Sequence, residues 1–78
     1  MITKVLNLNQ YENVIAFNQK AAQMDYDIDI CHGRYVLNAK SLMGLFSLDL
    51  SQPQTIQIHA TADEAAGFLE AISSMIIG

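Results

Sequence analysis

Two histidines, one cysteine and a short run of aspartates are the first residues in this chain whose types could do chemistry. An imidazole nitrogen can carry a labile phosphoryl group, act as an acid or base, or ligate a metal. His32 stands next to Cys31, a potential pair of metal ligands. Adjacent residues at a strand–turn junction diverge, however, and no C-x-x-C or H-x-x-x-H spacing supplies the remaining ligands of a zinc site. The stretch "DYDID", with Asp25, Asp27 and Asp29 two apart, imitates the opening of a calcium loop. That loop needs Gly at its sixth position and Glu at its twelfth. Ile30 and Val36 occupy those places, so no calcium loop is expected. His59 and His32 read as polar surface residues without an acid or nucleophile beside them in sequence. Neither a metal nor a cofactor is expected.

A second set of residues carries capping chemistry. Asn9 followed by Glu12, and Thr61 followed by Glu64, have the spacing of capping boxes, in which side chain and backbone satisfy each other at a helix start. Ser41 stands before "LMGLFSL" and is expected to cap a short helix ending near Leu50. Its hydroxyl would satisfy a free helix N–H.

The elements positioning these residues follow from the periodicity of apolar groups. "ITKVLNL" (2–8) reads as a first strand with Leu6 and Leu8 on one face. From Asn9, the residues Val14, Phe17, Ala21 and Met24 recur at three- and four-residue spacing, with Ile15 and Ala22 flanking, which predicts an amphipathic helix. Tyr26, Ile28 and Ile30 then alternate with Asp25, Asp27, Asp29 and Cys31, as in a strand with one wet face. Such a row of like charges would discourage edge pairing. His32-Gly33 predicts a tight turn and "RYVLNA" a hairpin partner. After the Ser41 helix, "SQPQ" is a turn and "TIQIHA" a fourth strand. A last helix places Phe68, Leu69, Ile72, Met75 and Ile76 on one stripe. The order β-α-β-β-α-β-α, with one apolar side per strand, predicts an α+β domain over residues 1–78: one four-stranded antiparallel sheet with three helices on a single face.

Composition narrows the function classes. Charged residues are 15% and apolar residues 51% of 78, so the chain is a folding domain rather than a disordered segment. A chain this size buries only roughly 60–65% of the surface its unfolded form exposes. The net charge of −4, with only Lys4, Lys20, Arg34 and Lys40 as cations, opposes nucleic-acid binding, which depends on neutralising phosphates. One cysteine makes no internal disulfide, and no basic-then-apolar signal pattern or apolar run of membrane-spanning length is visible. A cytoplasmic protein off the membrane is expected.

"NAKSLMGLFSLDL" (38–50) and "IQIHATADEAAGFLEAI" (56–72), set in this element order, resemble HPr, the histidine-containing phosphocarrier family of the bacterial sugar phosphotransferase system. The first block has Lys40-Ser41, an apolar pair, Gly44, another apolar pair, then Ser47-Leu48. The second runs from a strand through Asp63-Glu64 into a leucine-bearing helix. The N-terminal half agrees in element order, in Ala21-Ala22 and in the aspartates opening the second strand. The resemblance implies an HPr-like open-faced sandwich. It also implies a phosphorylatable histidine and an arginine, in a segment of the type G-x-H-A-R-P-A, at the start of the first helix. By spacing from Ala22, Tyr11 falls at that histidine, Asn13 at the arginine and Val14 at the proline. A tyrosine phosphate is too stable an ester to pass its group on. Glu12, in the first turn, would repel an incoming phosphate from the positive end of the helix. The phosphate site is therefore expected to be lost at Tyr11, Glu12 and Asn13.

The family also implies that Ser41 matches a serine phosphorylated by a dedicated regulatory kinase. Beside Lys40 and at a helix start, such a phosphate would be tolerated. Within the short helix, Leu42, Met43 and Phe46 form one apolar cluster and Leu45 with Leu48 another, rotated away from it. A domain this small covers one of them. The exposed one, with a methionine and an aromatic, suits a protein partner, and the matching helix of HPr is where partners bind. The expected function is a non-catalytic, HPr-like regulatory or docking protein. Its binding residues would be Lys40, Leu42, Met43 and Phe46. Its partner would be a phosphotransferase-system enzyme, an HPr-type serine kinase or a transcription regulator. The alternatives are a phosphocarrier using an unexpected acceptor and a structural homodimer module.

Overall fold

Alternation of apolar and polar residues gives Ile28–His32 and Gln54–Ile58 one side to bury, and the sheet turns that side to the helices. A computed structural model describes all residues from Met1 to Gly78. Four strands, β1 (Ile2–Leu6), β2 (Ile28–His32), β3 (Tyr35–Asn38) and β4 (Gln54–Ile58), form one antiparallel sheet in the order β1-β4-β2-β3. The register is set by pairs such as Lys4 with Ile56, Ile30 with Ile56 and Ile30 with Leu37. Helices α1 (Tyr11–Ala22), α2 (Leu42–Phe46) and α3 (Ala62–Ala71) cover one face. This is the predicted α+β open-faced sandwich.

The core lies between that face and the helices. Leu6, Ile28, Ile30, Ile56 and Ile58 of the sheet are fully buried against Val14, Phe17 and Ala21 of α1, Leu45 of α2 and Phe68 of α3. The Phe17 and Phe68 rings meet at 6.0 Å and 50°, an arrangement aromatic quadrupoles favour. Gly33, at φ +58°, opens the two-residue turn between β2 and β3, where a hairpin of this hand takes glycine.

Several boundaries differ from the sequence reading. The first strand stops at Leu6, because the chain turns at Asn7, yet Leu8 stays buried under the loop. The aspartate-rich segment enters the sheet only at Ile28, and β2 is an interior strand between β4 and β3. Its acidic row therefore guards no edge. Asp29 instead pairs with His59, Oδ2 to Nε2 at 2.9 Å, on the open face of the sheet. The third helix ends at Ala71 and continues as a single 3₁₀ turn over Ser73–Met75. Ile76 is extended and bridges Leu6, while Ile77 N–H donates to Val5 O at 2.8 Å. The C-terminal tail thus covers the outer edge of β1, giving its backbone groups partners they would otherwise lack.

Candidate functional site

The start of α1 is the place where the lost phosphate site was expected. The helix begins one residue later than Asn9–Glu12 spacing requires: Gln10 is the N-cap, in extended conformation (φ −107°, ψ 133°), and it makes no side-chain cap bond. The predicted capping box is absent for that reason. With Gln10 at the cap, Glu12 lies in the middle of the first turn and Asn13 takes the position from which a box would close. Asn9 is occupied differently, its N–H donating to Asn7 Oδ1 at 3.1 Å in a local turn. The Gln10 carbonyl accepts from Asn13 and Val14. Glu12 keeps its place in the first turn, where a negative charge complements the helix dipole.

Tyr11 has a defined neighbour. Its ring, two-thirds exposed, stacks on Phe46 of α2 with centroids 5.5 Å apart and planes 21° from parallel. A stacked pair of this kind contributes about 0.5–1.5 kcal/mol beyond its buried area, and less where water reaches it. The contact ties the beginning of α1 to the end of α2 and makes one aromatic surface from two elements.

Helix α2 is shorter than expected, ending at Phe46 with Ser47 as C-cap. Ser47 turns its hydroxyl back onto Gly44 O, which closes the helix one turn before Leu50. Its start is as predicted. Ser41 Oγ accepts from Gly44 N–H at 3.2 Å. A β-carbon at Gly44 would stand 3.3 Å from that oxygen, so glycine lets the cap close without a push. Ser41 itself is exposed.

The two apolar faces of α2 separate cleanly. Leu45 is wholly buried and Leu48 is packed partly against the core, whereas Met43 is 87% exposed, Phe46 43% and Leu42 36%. Lys40, the fourth expected docking residue, has a partner within the domain. Its Nζ donates to Met24 O at 2.8 Å, just past the end of α1, where the negative pole of the helix favours a cation. Asn18 Nδ2 donates to Ala39 O at 3.2 Å and strengthens the same joint. Lys40 therefore anchors α2 to α1, a role that no local pattern signals.

The remaining chemistry-bearing residues are dispersed. Cys31 is free and half-buried. No three His, Cys, Asp and Glu side chains converge into a group that could hold a metal ion. His32 lies beside a groove with Ser47, Leu48 and Asp49. At α3 the Thr61–Glu64 box closes in both directions, at 3.2 Å and 2.9 Å. The hydrogen bond from Thr61 N–H, then that from its side chain, holds the Glu64 carboxyl below its ordinary value of 4.5. Tyr26 has a buried hydroxyl with no hydrogen-bond partner in the protein, and burial first, then the Glu64 charge, raises its pKa.

A four-stranded open-faced sandwich with three helices on one face, the second of them capped by a serine, is an HPr-like frame. The family described as "PTS HPr component phosphorylation site" matches residues 13–77, and the chain belongs to it. The match begins at Asn13, so Tyr11 and Glu12 precede it. No curated relative matches the chain. No helix is long and apolar enough to cross a membrane.

Proposed function

We infer that this phosphotransferase-system HPr-like protein acts without passing a phosphoryl group, as a non-catalytic partner that docks another protein through α2. Leu42, Met43 and Phe46 form the contact surface, and Tyr11 extends it onto α1. Ser41 is the regulatory position: phosphate there would add charge at the rim of the apolar patch and change what it can bind. The partner is an enzyme of the phosphotransferase system, an HPr-type serine kinase or a transcription regulator.

The observation that carries this reading is the Tyr11–Phe46 stack. The first residue of α1 is an aromatic stacked on α2, where a labile phosphoryl group would need an imidazole and a cation. Neither Arg34 nor any lysine makes an ion pair, since the one ion pair of the molecule joins His59 to Asp29. Apolar surface at a helix start favours burying a partner's side chain over holding an anion.

Intact mass after two separate incubations tests the reading. With phosphoenolpyruvate and the first enzyme of the system, no phosphate is expected. With the serine kinase and ATP, one phosphate at Ser41 is expected. An acid-labile phosphate from the first incubation overturns the non-catalytic reading. Phe46→Asp should lower partner capture at least tenfold while Tm moves by only a few degrees; a collapse of Tm would make Phe46 a core residue instead.

A further inference from the structure

The sheet has two outer edges, and only one is closed. The tail covers β1, with Ile77 N–H on Val5 O and Val5 N–H on Gly78 O. No strand lies beyond β3. Ala39 N–H donates to Ile28 O at 2.8 Å, and hydrogen-bonded pairs recur every second residue in an antiparallel ladder. Leu37 and Tyr35 therefore face β2 with their backbone groups, and Val36 and Asn38 turn theirs outward. The Asn38 carbonyl is taken by Ser41 N–H, which leaves the N–H and C=O of Val36 and the N–H of Asn38. The strand "YVLN" has no lysine, proline or bulge of the kind that usually blunts an edge.

Beside this edge runs the only cavity of the domain, a groove of about 390 Å³ between β3 and the end of α2. Tyr35, Leu37 and Leu48 form its apolar wall, and His32, Ser47 and Asp49 its polar one. Asp49 makes no ion pair. One of its oxygens accepts from the hydroxyl and the amide of Ser51, which hold the carboxyl below its ordinary value with a smaller pull from His32. Its second oxygen has no donor. Ser47 Oγ already donates its proton to Gly44 O, so it too has only acceptor capacity left. The groove pairs apolar walls with an unmatched negative charge, beside an open strand.

We propose that the β3 edge and this groove form a second docking site, taking an extended basic segment of a partner protein whose backbone pairs with Val36 and whose arginine or lysine reaches Asp49. Strand addition supplies main-chain hydrogen bonds, and alternate side chains of the added strand fall over Tyr35 and Leu37, on the groove side. Charge complementarity selects the occupant. A second copy would bring its own Asp49 beside the same edge, with a net charge of −4 and Arg34 as the one cation near its β3 not held by another group. A basic segment meets Asp49 with opposite sign throughout. None of Leu42, Met43 and Phe46 lines the groove, and the site stands independently of the function proposed above.

The test is a titration of the isotope-labelled full chain with a seven-residue peptide alternating valine and threonine around one arginine, followed by amide NMR shifts and hydrogen exchange. Shifts concentrated at residues 35–38 and 47–49, with at least tenfold slower exchange of the Val36 amide, are expected. The same peptide with glutamate for arginine should bind at least tenfold more weakly. Asp49→Lys should remove that preference, and Asp49→Asn, which keeps the acceptor for Ser51, should reduce it if the lysine variant fails to fold. Phe46→Asp should leave peptide binding unchanged, so the two proposals fail separately. No binding at millimolar peptide overturns the site, as do shifts confined to Leu42, Met43 and Phe46. Arginine amide binding as well as the peptide overturns the strand addition. Concentration-dependent self-association that protects Val36 overturns the choice of occupant.

Discussion

The starts of α1 and α3 are built from the same kinds of residues and end up as opposites. At α3, Thr61 and Glu64 satisfy each other's backbone groups, so the helix start is closed from within. At α1, Gln10 makes no cap bond, and the first turn leans on α2 through Tyr11 and Phe46. A local device stabilises one start and a long-range aromatic contact the other. The difference teaches that the α1 start is organised around a surface shared with α2.

The largest effect should come from breaking the closed start. Thr61→Ala removes the side-chain acceptor of Glu64 N–H and should cost about 1 kcal/mol, within a range of roughly 0.5–2, measured by urea unfolding. Next in size is supplying what α1 lacks. Gln10 already has the extended backbone of a cap, so Gln10→Ser should stabilise by about 0.5–1 kcal/mol by the same denaturation. Should it destabilise, the α1 start would already be satisfied in another way.

Acid should reveal the asymmetry through Glu64. Its carboxyl is held below 4.5 in the fold by bonds that its unfolded form lacks. A depressed folded value means that its stabilisation is fully present above about pH 4.5 and is lost as pH falls through the lower folded value. Glu64→Gln keeps an acceptor for Thr61 N–H without the charge. It should lower stability at neutral pH slightly and flatten its decline below pH 4.5, as followed by Tm against pH. The smallest effect should come from Asn9→Ala. Asn9 is not the cap, and its N–H on Asn7 does not depend on its side chain. A change of no more than a few tenths of a kcal/mol is expected. A loss near 1 kcal/mol would restore Asn9 as a cap.

One further substitution compares the two starts through a neighbour of Glu64. The Tyr26 hydroxyl is buried without a protein partner, so Tyr26→Phe should leave stability unchanged or raise it by less than about 1 kcal/mol. A clear loss in thermal unfolding would mean that the hydroxyl is satisfied in solution.

The sequence by itself determined what depends on neighbours a few residues apart. Alternation marked which side of β2 and β4 is buried, three- and four-residue spacing marked Val14, Phe17 and Ala21, and Ser41 and Thr61 announced two helix starts correctly. These signals are local because a cap or a pleat is satisfied within one turn or one strand. The order β-α-β-β-α-β-α with one apolar side per strand predicted the architecture, and the family resemblance in 38–50 and 56–72 agreed with it. The same local logic failed at Asn9, because two overlapping cap spacings differ by one residue and only the packing of α1 on the sheet chooses between them. Tertiary structure alone decided that β2 is interior, that Asp29 meets His59, that Lys40 anchors Met24, and that Tyr11 stacks on Phe46. Each of these pairs residues far apart in the chain. Strand order and helix placement, which no local spacing encodes, bring them within reach.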